Sequence, residues 1–256
     1  MGNYILCSHR SAEIPYYIES VSLNIYSIEE LCYFIANYIP LADATVVNKE
    51  LAAWIKDQAG LTEAAGVLET MLEEKDSFTE AVKWVLKNGN YYNRTQLEKI
   101  FEKLDAYHGV EPMGKSKARA DMLMEQKKYI KAIENYKEIL DTVGISEQPK
   151  SFRGRIYFNL GCGYVKLFRL PKARENLRRA YALIPEENIR KADLAAAYLD
   201  GGKEALISEA QKTGANETEI ATVIMEMESI EAPVIDGNLS ELTGKWVRDY
   251  HDSTGL

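Results

Sequence analysis

Residues 157–185 read YFNLGCGYVKLFRLPKARENLRRAYALIP. Bulky apolar residues recur through this stretch at helical spacing, and small residues stand at fixed places among them. The pattern is Tyr157-x-x-Leu160-Gly161-x-x-Tyr164, followed by Ala173-x-x-x-Leu177, Ala180 and Pro185. It predicts two consecutive helices.

This spacing resembles the signature of the tetratricopeptide repeat (TPR) superfamily, in which two antiparallel helices form each repeat. The resemblance implies that Gly161 and Ala173 lie where the two helices approach most closely, since only small residues fit there. It also implies that large side chains fill the grooves between helices, namely Tyr157, Leu160, Tyr164, Leu177 and Tyr181.

The resemblance covers about residues 115–200 and includes a unit on each side of the central one. In the preceding unit, Ala132 and Tyr136 correspond to Ala173 and Leu177. The offset of 41 residues exceeds the family's 34-residue period, so we expect a lengthened loop over residues 141–154. In the following unit, residues 193–199 supply a first helix that Asp200-Gly-Gly202 should break, and residues 204–212 then either complete a third unit or form a capping helix.

The rest of the chain also has helical signals. Before residue 109, apolar spacing predicts five helices, two of them opened by capping boxes at 27–30 and 77–80 and one capped by Asn93. A short ribbon is expected between residues 4–6 and 16–18. The sequence YSIEELCYF at residues 26–34 is similar to the N-terminal regions of TPR-containing proteins of Gram-positive gut bacteria. This similarity implies no function.

We therefore expect an all-α protein with three parts. Residues 1–110 form an acidic N-terminal helical domain, and the loop around 109–114 is a hinge. Residues 111–213 form a short TPR-like array of antiparallel helix pairs, about two to three units. Residues 214–256 form C-terminal capping helices, because a terminal repeat needs a polar cover.

Charge is unevenly distributed along the chain. The net charge of −8 is made up of −7 over residues 1–110, +7 over 111–190 and −8 over 191–256. The basic block coincides with the TPR-like segment, which is therefore the part expected to meet an acidic partner.

The sequence also indicates where the protein works. No segment approaches the roughly 18 consecutive apolar residues of a membrane span, so no membrane association is expected. Cys7, Cys32 and Cys162 are odd in number and widely separated, which is typical of reduced thiols in a cytoplasmic protein. We expect a cytoplasmic, bacterial protein.

Patterns that indicate catalysis or a cofactor are weak. His9, His108 and His251 are far apart and lack neighbours at metal-ligand spacing, so neither a metal nor another cofactor is expected. Residues 109–116 fit Gly-x-x-x-x-Gly-Lys-Ser, the phosphate-binding loop pattern, but a helix rather than a strand is predicted before them. A hinge loop is the favoured interpretation, and the protein is not expected to be an enzyme.

The TPR resemblance implies which residues line the groove between repeats. On the first helix of each unit these are Lys117, Arg155, Asn159 and Lys166. TPR domains that hold acidic C-termini of heat-shock chaperones use Lys, Arg and Asn in such positions. This sequence departs from that clamp at Asp121 and Asp193, which stand where the clamp has Asn and a basic residue.

We expect a protein-interaction scaffold or adaptor whose groove binds an acidic peptide or partner segment. The C-terminal acidic residues, including Glu226 and Glu241, are expected to cover that groove in part. One alternative is a nucleic-acid-binding regulator that uses the arginines at 153, 155, 169, 174, 178 and 179, although the pI of about 5.2 argues against it. The other alternative is an enzyme with a site in the N-terminal domain.

Overall fold

The computed structural model describes residues 11–73, 78–230 and 238–254. Over these ranges the chain forms twelve α-helices, with three short 3-10 helices and one two-stranded sheet. The predicted all-α class is confirmed. The chain divides into two compact units between Met122 and Leu123, whereas the sequence places the first domain boundary after residue 110.

The first unit contains a small β-ribbon, five complete helices and the start of a sixth. Its elements are β1 (Tyr16–Ile18), β2 (Leu23–Ile25), α1 (Ile28–Asn37), α2 (Lys49–Asp57), α3 (Thr62–Glu73), α4 (Phe78–Asn88), α5 (Arg94–His108) and α6 (Pro112–Glu125). Because α6 already begins at Pro112, Gly114 is helical, and the hinge predicted over 109–114 is reduced to residues 109–111.

The ribbon is antiparallel, with Tyr16 opposite Ile25. Residues 16–18 form a strand as predicted, and their partner within the described residues is β2. The partner predicted from the sequence, residues 4–6, lies outside the described residues.

Local capping explains where the helices of the first unit begin. The Ser27 hydroxyl accepts a hydrogen bond from the Glu30 N–H at 3.1 Å, while the Glu30 carboxylate accepts one from the Tyr26 N–H at 2.6 Å. The reciprocal bond of the predicted capping box is thus displaced by one residue. Asn93 and Gln96 form a complete capping box at α5. The box predicted at 77–80 starts at a residue outside the described ranges.

Apolar side chains from α1, α2, α3 and α4 form the core of the first unit. The fully buried ones include Leu31, Ile35, Leu51 and Leu86. Burial of such side chains contributes roughly 1.5–3 kcal/mol each. This unit is therefore held together mainly by apolar burial.

The second unit contains the remaining six helices. They are α7 (Tyr129–Asp141), α8 (Lys150–Lys166), α9 (Leu170–Leu183), α10 (Glu187–Thr213), α11 (Glu217–Glu228) and α12 (Leu239–Thr254). Each helix from α7 to α10 packs against the next one in the chain, and the most extensive contact joins α8 and α9. Helix α12 packs against α7, and the C-terminal helices therefore contact both ends of this series.

Glycines in α8 allow close contact with α9. A Cβ atom on Gly161 would lie 2.6 Å from Leu177 Cγ and 3.2 Å from the Ala173 carbonyl oxygen. Gly154 is likewise inside α8, where its buried backbone faces Leu183 and Ile184 at the end of α9. The prediction that the loop before α8 extends to residue 154 is therefore wrong, because Gly154 serves helix packing rather than a turn.

Helix α10 has a sharp break in the middle. Gly201 has φ −151° and ψ 24°, and Gly202 has φ 70° and ψ −162°, so neither residue is helical. The positive φ of Gly202 is one that L side chains rarely adopt. The predicted break at 200–202 is confirmed, and it separates α10 into two arms, 187–200 and 203–213.

The two arms of α10 share a small apolar core with α11. It consists of Leu194, Leu206, Ala210 and Val223, which are all buried. Asn216 and Glu219 form a capping box that fixes the start of α11. Among the described residues, no helix is both long and apolar enough to cross a bilayer.

Candidate functional site

The sequence-predicted groove residues are distributed over both units. Arg155, Asn159 and Lys166 lie on one face of α8, as their spacing requires. Arg155 Nη2 lies 2.7 Å from Glu186 Oε1, and Asn159 donates a hydrogen bond to the Tyr136 hydroxyl at 3.1 Å.

The other two predicted cations differ in their pairing. Lys166 is exposed, and the described residues give it no ion pair. Lys117 belongs to the first unit, where its Nζ lies 2.6 Å from Asp121 Oδ2. Of the two predicted cations on α8, Lys166 is thus the one left without an internal carboxylate.

Two arginines of α9 are held by carboxylates of α10, in what we call the α9 arginine cluster (Arg174, Arg178, Asp193, Asp200 and Glu209). Glu209 accepts from Arg174 Nη2 at 2.7 Å and from Arg178 Nε and Nη2 at 2.9 and 2.6 Å. Arg174 Nη1 also donates to Asp200 at 3.1 Å. Both arms of α10 are therefore tied to the same helix.

Asp193 is the least well satisfied member of this cluster. Its side chain is only 4% exposed, and its oxygens lie 3.7 Å from Arg174 Nε and 3.5 Å from Arg178 Nε, without hydrogen-bond geometry. Burial and the neighbouring Glu209 carboxylate raise the pKa of Asp193 to about 6, against the opposing effect of the two arginines. The resemblance places Asp193 on the groove, but the side chain is buried against α9.

Other cations of the basic segment are also neutralised within the second unit. Arg190 pairs with the buried Glu219, whose pKa is lowered chiefly by that hydrogen bond. Arg179 Nη2 lies 2.7 Å from Glu175 Oε1. Much of the positive charge counted in the sequence is thus unavailable to an external ligand.

A polar cavity of about 410 Å³ lies among α7, α8 and α9. We call it the lysine–tyrosine pocket. It is lined by Lys137, Leu140, Asp141, Tyr157, Leu160, Tyr164, Lys172, Glu175, Asn176 and Arg179. Its side chains provide three cations, two phenol hydroxyls and one amide, against two carboxylates.

Two lysines converge on one aromatic ring in this pocket. Lys137 Nζ of α7 and Lys172 Nζ of α9 each lie 5.8 Å from the ring centroid of Tyr164, which is itself buried. A cation over a ring face gains about 0.5–1 kcal/mol at an exposed site. Neither lysine forms an ion pair with any described residue, so both ammonium groups remain open to an anion.

The third cation of the pocket is partly satisfied. The Arg179 guanidinium carbon lies 5.8 Å from the ring centroid of Tyr157, and the group also pairs with Glu175. Tyr157 and Tyr164 are motif residues that the sequence assigns to packing. The structure adds that their rings orient cations around the pocket.

Lys137 and Lys172 are not among the site residues predicted from the sequence. Each lysine is adjacent to a motif residue, Tyr136 or Ala173, and that adjacency was the available signal. That adjacency has meaning only together with the contacts of both lysines with Tyr164. Arg179 belongs to the arginines of the nucleic-acid alternative.

The described residues hold no cluster of three or more His, Cys, Asp and Glu side chains able to bind a metal. Burial raises the pKa of the Cys32 thiol to about 12 and also raises that of Cys162, which disfavours a reactive thiolate at either site. Helix α5 precedes the Gly109 loop, where a phosphate-binding loop would need a strand.

Comparison with known proteins does not add a relative. No family model, no curated protein and no solved structure matches this chain.

Proposed function

We propose that this chain is a protein-interaction module, without catalytic activity of its own, whose second unit binds an acidic segment of a partner protein. The observation that carries the proposal is the convergence of Lys137 and Lys172, both without a carboxylate partner, on the ring of Tyr164. The bound segment would place a Glu or Asp side chain between the two ammonium groups.

Charge and hydrogen bonding support an acidic ligand. A carboxylate there would receive charge-assisted hydrogen bonds from ammonium groups, which are roughly twice as strong as neutral ones. It would also relieve the repulsion between two cations that share one ring. The Asn176 amide and the tyrosine hydroxyls supply further donors for the backbone of an extended peptide.

A peptide ligand is favoured over nucleic acid because most arginines of the basic segment already form ion pairs within the chain. A nucleic-acid surface needs several free cations that follow a phosphate backbone. Arg155, Arg174, Arg178 and Arg179 are instead engaged with carboxylates of this chain. The lysine–tyrosine pocket offers a local anion site, which suits one or two acidic side chains.

The TPR assignment supports the same function and is itself a proposal. Close packing of Gly161 against Leu177, and the succession of contacts from α7 to α11, are compatible with an array of helix pairs. Such arrays bind peptides on extended surfaces and carry no chemistry of their own. We place this module in the cytoplasm because its cysteines are few and the two within the described residues, Cys32 and Cys162, are unpaired.

Peptide binding to charge-reversal variants of the full chain tests this proposal. The probes are a fluorescent Glu-rich peptide, its Gln counterpart, and a single-stranded oligonucleotide of equal charge. We expect the Glu-rich peptide to bind more tightly than both, with affinity that falls as salt rises. The double variant Lys137→Glu, Lys172→Glu should weaken peptide binding at least about tenfold, because it removes two charge-assisted contacts.

Two matched variants locate the binding surface. Reversal of the exposed Lys150 and Lys203 makes the same change in net charge outside the pocket and should leave peptide affinity nearly unchanged. Reversal of Arg155 and Lys166 tests the groove predicted from the sequence. If that pair alone abolishes binding, the α8 face is the site and the pocket is not. Preferential binding of the oligonucleotide would instead support the nucleic-acid alternative.

A further inference from the structure

The first unit contains a second cavity, of about 360 Å³, that is separate from the proposed peptide site. Residues of α4, α5 and α6 and the segment 39–44 form its walls. Its size falls in the usual range of small-molecule sites, about 300–1,000 Å³, which are mostly apolar with a few polar groups.

The wall of the cavity is largely apolar. Its hydrocarbon and aromatic side chains are Ile39, Pro40, Ala42, Ala44, Phe78, Val82, Leu104 and Tyr107. Polar side chains supply the rest of the lining, namely Asp43, Thr79, His108, Lys115, Ser116 and Arg119. A ligand here would therefore need both a hydrocarbon part and a polar group.

Hydrogen bonds hold the polar side chains around the cavity in place. The Thr79 hydroxyl and His108 Nδ1 lie 3.1 Å apart, and Thr79 is buried. Lys115 Nζ donates to the His108 carbonyl oxygen at 2.7 Å. A carbonyl oxygen satisfies one of the three ammonium donors without neutralising its charge.

The acidic residue of the cavity already has partners for both of its oxygens. Asp43 Oδ1 accepts hydrogen bonds from the Thr45 N–H at 2.9 Å and the Thr45 hydroxyl at 2.6 Å. Asp43 Oδ2 pairs with Arg119. The described residues thus leave Lys115 without a carboxylate, and the cavity has an excess of positive charge.

We propose that this cavity binds a small amphipathic monocarboxylate, with its carboxylate at Lys115 and its hydrocarbon chain against the apolar wall. The volume is more than twice that of a roughly 150 Å³ cavity that accepts benzene, so a ligand of roughly a dozen non-hydrogen atoms fits. A single negative charge matches the single uncompensated cation.

Calorimetric titration of the full chain with octanoate, octanol and octylammonium tests this site. These probes share one hydrocarbon chain and differ in the charge of the head group. We expect octanoate to bind most tightly and octylammonium least. Lys115→Met should weaken octanoate binding about tenfold and leave octanol binding unchanged, because it removes a charged hydrogen-bond donor and keeps the hydrocarbon stem.

Lys99→Met is the matched control, since Lys99 is exposed on α5 and does not line the cavity. Shifts of the Thr79 and Val82 methyl resonances on adding octanoate should locate the ligand in the cavity. The proposal is overturned if octanoate does not bind, if octanol binds as tightly, or if Lys115→Met and Lys99→Met have equal effects.

Discussion

The two units of this chain bury different kinds of side chain. In the described part of the first unit, the buried residues are apolar apart from Ser27, Glu29 and Thr79. The second unit buries Asp193, Glu209 and Glu219, and it sets arginines of α9 and α10 against them. In the first unit, the ion pair between Lys49 and Glu73 instead joins two exposed side chains.

Exposed and buried ion pairs differ in how much stability is lost when one partner is removed. An exposed ion pair contributes about 0–1 kcal/mol, and losing it costs little. A buried pair has already lost its hydration, so removal of one partner leaves a charge without compensation. We therefore expect loss of a buried carboxylate of the second unit to cost far more stability than loss of an exposed carboxylate of the first.

Loss of Glu209 should have the largest effect. Glu209→Ala leaves Arg174 and Arg178 without their best hydrogen-bond acceptor and should destabilise the second unit by about 3–5 kcal/mol. Glu73→Ala, which breaks the exposed pair of the first unit, should cost less than about 1 kcal/mol. Hydrogen exchange followed by mass spectrometry measures the protection of each unit separately. Similar losses of protection in the two variants would contradict the proposed difference between the units.

Helix contact in the second unit should be the next most sensitive feature. Gly161→Ala places a Cβ atom 2.6 Å from Leu177 Cγ and should destabilise the protein by about 2–3 kcal/mol through overpacking. Gly66→Ala in α3 is the matched control, because no atom lies within 4 Å of its added Cβ. That control should stabilise by about 0.5–1 kcal/mol. Urea unfolding measures both, and equal signs would contradict the packing described for α8 and α9.

The stability of the second unit should also depend on pH, with a smaller effect than the two substitutions above. The folded pKa of Asp193, about 6, lies above its ordinary 3.8, so the folded state holds its proton more tightly. Between those values the free energy of unfolding should therefore rise as pH falls, by about 2 kcal/mol from pH 7 to about 4.5.

Asp193→Asn should remove this contribution, while Asp200→Asn, a change in a more exposed member of the same cluster, should retain it. Urea unfolding across the pH range supplies the measurement. If the free energy of unfolding of Asp193→Asn varied with pH as in the unsubstituted protein, another titratable group would be responsible for the dependence. Glu219, whose pKa is lowered, acts in the opposite sense, since its contribution is lost as pH falls below its ordinary 4.5.

The helices were predictable because their signals are local. The capping box of Asn93 with Gln96 and the helix break at Gly201–Gly202 each depend on residues only a few positions apart. Both can therefore be predicted from the sequence. The site depends on distant pairings. Arg178 and Glu209 are 31 positions apart and meet across the break in α10.

The pocket was unpredictable for a related reason. Lys137 and Lys172 reach Tyr164 from different helices, and charge counting treats both as part of a basic block. The net charge of the segment overestimates the positive charge available to a ligand, because it does not distinguish arginines that are paired internally. Residue type predicts that the segment has a positive net charge, but packing decides which cations remain unpaired.

The separation of Arg178 from Glu209 also affects how the chain is made. Synthesis proceeds from the N-terminus at about 5–20 residues per second, so Glu209 is added a few seconds after Arg178. During most of that interval α8 and α9 are already synthesised, while Arg174 and Arg178 lack the Glu209 carboxylate that later pairs with them. The nascent chain therefore carries a positive charge that Glu209 neutralises in the folded protein.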